Sequence, residues 1–385
     1  MKCRHLLALL SALLLTAMTP VIASCEAPKG ESAPVAAPVA PPQDAAKPET
    51  PQAPQPAASS DSERMEPVGQ IQQADLRPKP GGVVDGDTLK VVGFAKSLRL
   101  INVDTEEVFQ SRNEEAKAAQ NWETYRAEAM KSGNFRTFAT PMGERATSFA
   151  RQFFRDIEQV TLEYQSPIYT RGFFDRHLVM IWVKSDRVPA QLVPGAPSGE
   201  WLNYNVEAVR AGMSPYYSKY GYNMRLHEAF RLAERQAKEQ RRGIWAPGAQ
   251  SYGDYDARIA WWNEMAEQIQ KFRAYSQTHP DAIDLASDVA YAMLRQKVGQ
   301  RVIVFGNVKS FAKNSQPQRL RLVYRYRRDL PVVAVEPVDM RQAGIDPKKD
   351  QYIYVEGVVG MYRGDPEIQY DEKSWMRSGQ DPPER

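Results

Sequence analysis

The chain has 385 residues, too many for one small domain, and its length points to two. Hydrophobic residues make up 42% and charged residues 25%, an ordinary balance for a water-soluble globular protein. The net charge of +3 is small, which excludes any argument from bulk charge for a nucleic-acid partner; a basic site has to be local.

The first 24 residues read as a targeting segment. Lys2 and Arg4 give a positive start, and Leu6 to Ala23 is an apolar run of small residues and leucines. It ends Ile22-Ala23-Ser24-Cys25, which resembles the lipobox of bacterial lipoproteins. That resemblance implies cleavage before Cys25, lipidation of its thiol, and anchoring to a cell-envelope membrane. Cys3 is the one other cysteine. Once it leaves with the signal, no disulfide partner is expected, and the exported domains must be stable through their cores. Residues 25–79 are rich in Pro and Ala, as in Ala-Pro-Val-Ala-Ala-Pro-Val-Ala-Pro-Pro at 33–42. Such a stretch favours extended polyproline II and reads as a tether.

From residue 80 the pattern changes. Val83, Val84, Leu89, Val91 and Val92, then Leu98, Leu100 and Val103, predict paired strands. This stretch, residues 83–107, concentrates chemistry. It carries three carboxylates (Asp87, Asp104, Glu107), a guanidinium (Arg99) and a spare backbone carbonyl at Thr105. Carboxylate oxygens suit hard divalent cations, and a guanidinium forks onto phosphate. Together they are the parts needed to hydrolyse a phosphodiester. Residues 108–140 are polar and rich in Ala, Glu and Lys, either helical or mobile. Ala146, Phe149, Phe153 and Ile157 then mark an amphipathic helix. Val160 to Tyr164 and His177 to Val183 alternate as strands. Leu202, Val206 and Val209, then Leu226, Phe230, Ala233 and Ala237, mark two further helices, the second stopping before Gly243-Ile244-Trp245.

Residues 251–300 predict a helical connector. Its apolar residues, Trp261, Met265 and Ile269 on one face, suit packing against a neighbour. Residues 301–385 alternate like strands of an antiparallel barrel. The Val-x-Gly-x-Val rhythm near Gly306 and Gly357, and the ending Tyr-x-Gly-x-Pro-Glu-Ile at 362–368, resemble an OB-fold domain.

Four motifs stand in order: Asp-Gly-Asp-Thr at 85–88, Arg-Leu-Ile-Asn-Val-Asp-Thr-x-Glu at 99–107, Asp-Arg-x-Leu-x-x-x-Trp at 175–182 and Gly-Ile-Trp at 243–245. Over residues 80–247 the chain resembles the staphylococcal nuclease family. The resemblance implies an α+β, mainly β fold: an OB barrel with flanking helices over 80–250, followed here by the connector and a second OB-like barrel. It implies a monomeric, exported, Ca²⁺-dependent nuclease acting on DNA or RNA, with 3′-phosphorylated products. Asp87, Asp104 and the Thr105 carbonyl would bind the Ca²⁺, Glu107 would orient or deprotonate the attacking water, and Arg99 and Arg176 would hold the reacting phosphate. Asp85 would be structural. Departures from the family pattern are Phe174-Asp175 before Arg176, where Tyr-Gly is usual, and Glu106 in place of a proline; both Asp175 and Glu106 are expected to add negative charge at the site. A catalytically weak binding module on the same barrel is the alternative, but it has no need of Glu107.

Tyr216, Tyr217 and Tyr220 occupy a loop where the family sets tyrosine against a base or terminal phosphate; each is equally well a structural tyrosine. His177, His227 and His279 show no ligand spacing. In the second barrel, Arg319, Arg321, Arg325 and Arg327 fall on one face of a strand and Leu320, Leu322, Tyr324 and Tyr326 on the other. That arginine row could track a nucleic-acid backbone, or face an acidic neighbour or lipid headgroups.

Overall fold

A computed structural model describes residues 65–77, 81–131, 133, 135–325 and 328–383. The signal segment, Cys25 and Arg327 lie outside them.

The first barrel is built from β1 (Gln70–Asp75), β2 (Thr88–Leu89), β3 (Leu98–Leu100), β4 (Gln159–Tyr164) and β5 (His177–Lys184). Their order is β1-β4-β5-β3-β2. All pairs are antiparallel except β3–β5, which is parallel with Leu98 opposite His177. A bridge between Leu76 and Val91 brings β2 back to β1, and Val92 N–H donates to the Asp75 carbonyl at 2.8 Å. The barrel therefore starts at residue 70, not 80. β1 falls inside the predicted tether because Gln-Ile-Gln-Gln-Ala-Asp shows no apolar alternation; of its residues only Ala74 is buried. Its place is fixed by backbone pairing with β4, Gln70 opposite Tyr164 through Asp75 opposite Gln159. A short β6 (Trp201–Asn203) extends the sheet from β5.

The polar stretch after Glu107 is helical. α1 (Arg112–Gln120) is capped by Ser111 and α2 (Trp122–Met130) by Asn121, each side chain accepting from an N–H of the first turn. α3 (Pro141–Phe153) follows, with Thr140 as its cap and Pro141 in its first turn. Its Ala146, Phe149, Ala150 and Phe153 face the barrel core. α4 (Tyr204–Arg210) is buried along its length, and α5 (His227–Glu239) buries Phe230, Ala233 and Ala237. The Gly-Ile-Trp motif closes this layer. Gly243 has φ +54°, and a Cβ there would lie 1.9 Å from the Gly212 carbonyl oxygen, so only glycine fits.

α6 (Tyr255–Thr278) is the predicted connector. Its Tyr255 and Trp262 belong to the first core, while Met265, Ile269 and Phe272 pack with Phe305, Tyr352 and Tyr354 of the second barrel. Phe272 stacks on Phe305 at 4.5 Å. Then come β7 (Ile283–Asp284), α7 (Ala290–Gln296), β8 (Arg301–Ala312), β9 (Arg319–Arg325), β10 (Arg328–Ala334), β11 (Tyr352–Tyr362), β12 (Asp365–Tyr370) and β13 (Trp375–Ser378). β8-β9-β10-β12-β11 closes on itself through β11–β8, and β10–β12 is its parallel pair. The second barrel thus repeats the strand order of the first, the OB arrangement expected from its sequence. β7 and β13 are additions, pairing with β8 and β11.

Candidate active site

The turn before β2 sets the first carboxylates. Asp85 accepts the Asp87 N–H at 3.0 Å, and the Val84 N–H closes the turn on the Thr88 carbonyl at 3.0 Å. Gly86 lets the turn approach the next motif: a Cβ there would lie 2.6 Å from the Thr105 side chain and 2.8 Å from Ala146. The Tyr204 hydroxyl donates to the Gly86 carbonyl at 2.7 Å from beneath.

Asp87, only 3% exposed, is thereby aimed at the second motif. Its Oδ2 accepts from the Thr105 N–H at 2.9 Å and hydroxyl at 3.3 Å; its Oδ1 accepts from the Thr88 hydroxyl at 3.0 Å. Arg99, opposite Thr88 on β3, forks between two carboxylates, one terminal nitrogen on Asp87 and the other on Asp104. Asp104 is held in turn by its own N–H, which donates to Ser214 Oγ at 2.9 Å.

These groups lie within one another's electrostatic field. Burial and the Asp87 charge raise the Asp85 pKa to about 6. Burial, then Asp104 and Asp87, raise that of Glu107. Asp104 is raised by burial and Asp87 against the pull of Arg99. Burial works against the Arg99 charge, yet Asp87 and Asp104 more than compensate and hold it protonated. Arg176 is lowered by burial and then by Arg99, so the two guanidiniums face each other's field, with Asp87, Asp85 and Asp104 opposing. Four carboxylates around two guanidiniums leave the cluster acidic.

A hard divalent cation suits that donor set. Asp87 and Asp104 already share one cationic partner, and the charge repulsion felt by Asp85, Asp104 and Glu107 is what a cation would relieve. Among the described residues, no group of three or more His, Cys, Asp or Glu side chains could hold a metal. The site read from sequence is of another kind, two carboxylates and a backbone carbonyl. Thr105 also has a role the sequence did not reveal, since it orients Asp87 through its N–H and hydroxyl.

Two departures from the family pattern lie elsewhere than expected. Glu106 turns away from the cluster, and the groups acting on it most strongly are Thr140, Tyr255, Tyr252 and Arg258. Its carboxylate, 2% exposed, accepts from the Thr140 hydroxyl, the Tyr252 N–H at 2.9 Å and the Tyr255 hydroxyl at 2.5 Å. It ties the loop after β3 to the start of α6. Asp175 takes the left-handed conformation at φ +58°, which a glycine would adopt and which Asp tolerates. Its charge is met by Lys96 at 3.1 Å and Arg171 at 3.6 Å, so it does not oppose Arg176 unscreened.

Residues 97–247 match the family of staphylococcal nuclease homologues. The chain carries a staphylococcal nuclease homologue domain. Over 165 residues it is also 26% identical to an uncharacterized protein of Methanocaldococcus jannaschii, a span covering 42% of this chain and 68% of that protein. Nuclease-like, nucleic-acid-binding function is what this family points to. Arg99, Asp104, Thr105, Glu107 and Arg176 fall inside the matched segment of the nuclease homologue domain. Asp85 and Asp87 precede it and join the cluster through the contacts above.

Of the three loop tyrosines in the nuclease homologue domain, Tyr216 belongs to the core. It is 5% exposed, stacks on Phe230 at 4.9 Å and shares a hydrogen bond of 2.9 Å with His227. That removes it as a substrate residue. Tyr217 lies in the field of Asp104 and Arg99 and meets Trp262 edge-on at 4.8 Å. Tyr220 is 66% exposed and stands 5.8 Å from Tyr217. Lys219, missed in the sequence, attracts Asp104 and lies over the Trp261 ring at 4.5 Å. His177 bonds the Tyr164 hydroxyl at 2.7 Å and packs against Phe94.

In the second barrel the alternation holds where it is described. Leu320, Leu322 and Tyr324 are buried, and Arg319 and Arg321 point outward. The Arg325 side chain and Arg327 lie outside the described residues. Asp329 interrupts the basic face, pairing with Lys309 at 2.9 Å and standing 3.5 Å from Arg321.

Proposed function

We propose that this chain is a Ca²⁺-dependent nuclease that hydrolyses phosphodiesters of DNA and RNA. The observation that carries the reading is the fork of Arg99 between Asp87 and Asp104, with Glu107 and Arg176 in the same field. Asp87, Asp104 and the Thr105 carbonyl would hold the cation, which supplies Lewis-acid polarisation of the phosphate and lowers the pKa of nearby water. Water attacks phosphorus and the 5′-oxygen leaves, which puts the phosphate on the 3′ product. Glu107 is the exposed carboxylate beside the cluster and takes the water's proton. Its raised pKa suits a general base, because a base works best near the operating pH. Arg99 and Arg176 meet the charge that grows on the phosphoryl oxygens, and fixed guanidiniums stabilise it more in the transition state than in the substrate. Tyr217, Tyr220 and Lys219 line the approach; their rings and charge suit a flanking nucleotide. Incubation of the full chain with single-stranded DNA and with RNA, in Ca²⁺ and in EGTA, tests this. Cleavage that EGTA abolishes and Ca²⁺ restores is expected, and full activity in EGTA would defeat the metal assignment.

The reading extends to location and to the second barrel. The lipobox-like end at Cys25 supports export and membrane anchoring by lipid; Cys25→Ser should release the protein from the membrane fraction, and wild-type partitioning without an acyl group on Cys25 would end that proposal. Arg319 and Arg321, outward on an OB strand, support single-strand binding by the second barrel.

A further inference from the structure

The hairpin between β4 and β5 carries Arg176, and it does not stand alone. Beyond the end of β4 it runs from residue 165 to residue 176, closed by two rungs. Leu178 N–H donates to the Thr170 carbonyl at 3.0 Å, and Gly172 N–H to the Arg176 carbonyl at 2.9 Å. The segment leading to the tip is fastened from outside the nuclease homologue domain. Asp288 Oδ2 accepts from both the N–H of Thr170, at 2.8 Å, and its hydroxyl, at 2.6 Å. Asp288 returns its own N–H to the Ile168 carbonyl at 2.8 Å. Next to it, the Tyr169 hydroxyl donates to Asp284 Oδ2 at 2.8 Å. Asp284 ends β7, which pairs with β8, Asp284 opposite Phe305.

We infer that Asp288 and Asp284 are positioning residues for the phosphate clamp: the segment that joins the connector to the second barrel sets where Arg176 stands. The inference rests on the reading of Arg176 as a phosphate-holding group. Four hydrogen bonds across this junction are more than incidental contact needs. Thr170 is the residue whose carbonyl forms the rung next to Arg176, so a shift at Asp288 passes to the guanidinium through two backbone bonds. Phosphoryl transfer depends steeply on such placement, since a misplacement of about 1 Å can cost on the order of a hundredfold in rate. Tyr217 is supported from the same side, because its loop bonds α6 through the Ser218 hydroxyl and Asn263 at 2.8 Å. The second barrel and connector are then part of the active site's frame, and not only an accessory for holding substrate.

The test uses the full chain with Asp288→Ala, Thr170→Val and Thr170→Ser, each alone and combined with Arg176→Ala. Asp288→Ala should lower kcat on a short single-stranded DNA by about tenfold, and Thr170→Ser should restore most of what Thr170→Val loses. In the Arg176→Ala background neither substitution should lower kcat further, because groups acting through one residue are not additive. Hydrogen exchange at the Gly172 and Leu178 amides should quicken in Asp288→Ala, while Ile181, whose N–H is bonded to Asn205 within the barrel, keeps its rate. Unchanged exchange in the hairpin overturns the anchor, whether or not the chain proves to be a nuclease. Quickened exchange with wild-type kcat, or an equal loss in the Arg176→Ala background, overturns the positioning role. An active chain in which Arg176→Ala is harmless overturns the clamp on which the inference rests.

Discussion

Removing the Glu106 carboxylate should loosen the loop after β3 from the start of α6. Three donors converge on it: the Thr140 hydroxyl, the Tyr252 N–H and the Tyr255 hydroxyl. Each is left without its acceptor in Glu106→Ala, and a buried orphaned donor costs about 1–3 kcal/mol. Deleting the carboxylate also relieves its own desolvation, which offsets part of that loss. A net destabilisation of about 3 kcal/mol is the expected outcome. Glu106→Gln keeps one acceptor oxygen and turns an N–H₂ toward the remaining donors, so a smaller loss of about 1–2 kcal/mol is expected. Urea unfolding of the full chain, followed by tryptophan fluorescence, measures both, since Trp245 and Trp262 lie close to the Tyr255 turn and α6. A shifted midpoint with an unchanged slope reports stability alone. If Glu106→Ala stays within about 0.5 kcal/mol of wild type, or if Ala and Gln cost the same, the carboxylate is not the tie described here.

Four further outcomes are expected. Glu107→Gln and Arg99→Ala should each lower turnover by about two orders of magnitude with circular dichroism unchanged; wild-type turnover in either would remove that residue from the mechanism. Folding raises the Asp85 pKa from 3.8 to about 6, so the folded state holds the proton more tightly. Its contribution to stability is full below about pH 4 and disappears as pH rises through 6, by up to about 3 kcal/mol. In EGTA, Asp85→Asn should therefore gain stability over wild type between pH 4 and 7, and parallel pH profiles would contradict this. A chain ending at Pro247 should aggregate or lose at least about tenfold in activity, because it lacks Tyr252, Tyr255, Trp262, Asp284 and Asp288; full activity would show that the matched segment is self-sufficient. Arg319→Ala with Arg321→Ala should reduce the salt slope of single-strand binding by about 0.7 per lost phosphate contact, and an unchanged slope would assign that face to something else.

The sequence made the chemistry legible where it is written into local geometry. Asp-Gly-Asp-Thr is a turn that must present carboxylates, and Arg99 follows at a spacing that pairs it with Thr88 across two strands. The outward arginines of β9 were legible for the same reason, because alternation with Leu320 and Leu322 leaves them no inward choice. What stayed hidden depends on tertiary context. β1 has no apolar signature, since its partner β4 holds it by backbone pairing and by polar side-chain bonds, Gln73 to Thr161 and Gln159 to Asp75. Tyr216, Tyr217 and Tyr220 look alike in sequence, but one loop turns the first into the core and the third to solvent. Glu106 and Glu107 are adjacent carboxylates with opposite destinies; the motif marks Glu107, but where Glu106 goes is set by Thr140, Tyr252 and Tyr255, two of which arrive from beyond the matched segment.

The helical excursion after Glu107 also bears on how freely this site can change. It leaves the chain directly after Glu107 and returns at Ala139, which bridges back to Glu107. The two ends of the excursion are therefore neighbours. The excursion makes up roughly half of the connection between β3 and β4, and each doubling of a loop adds only about 0.6 kcal/mol of closure entropy. The excursion is also bound to the core, with Phe138 buried in it and Trp122, Tyr125 and Met130 packed against it, so the positions free to vary without disturbing the barrel are those on its exposed polar face. Substitution on that exposed face can change the surroundings of Glu107 while Asp87, Arg99 and Asp104 stay where the barrel puts them.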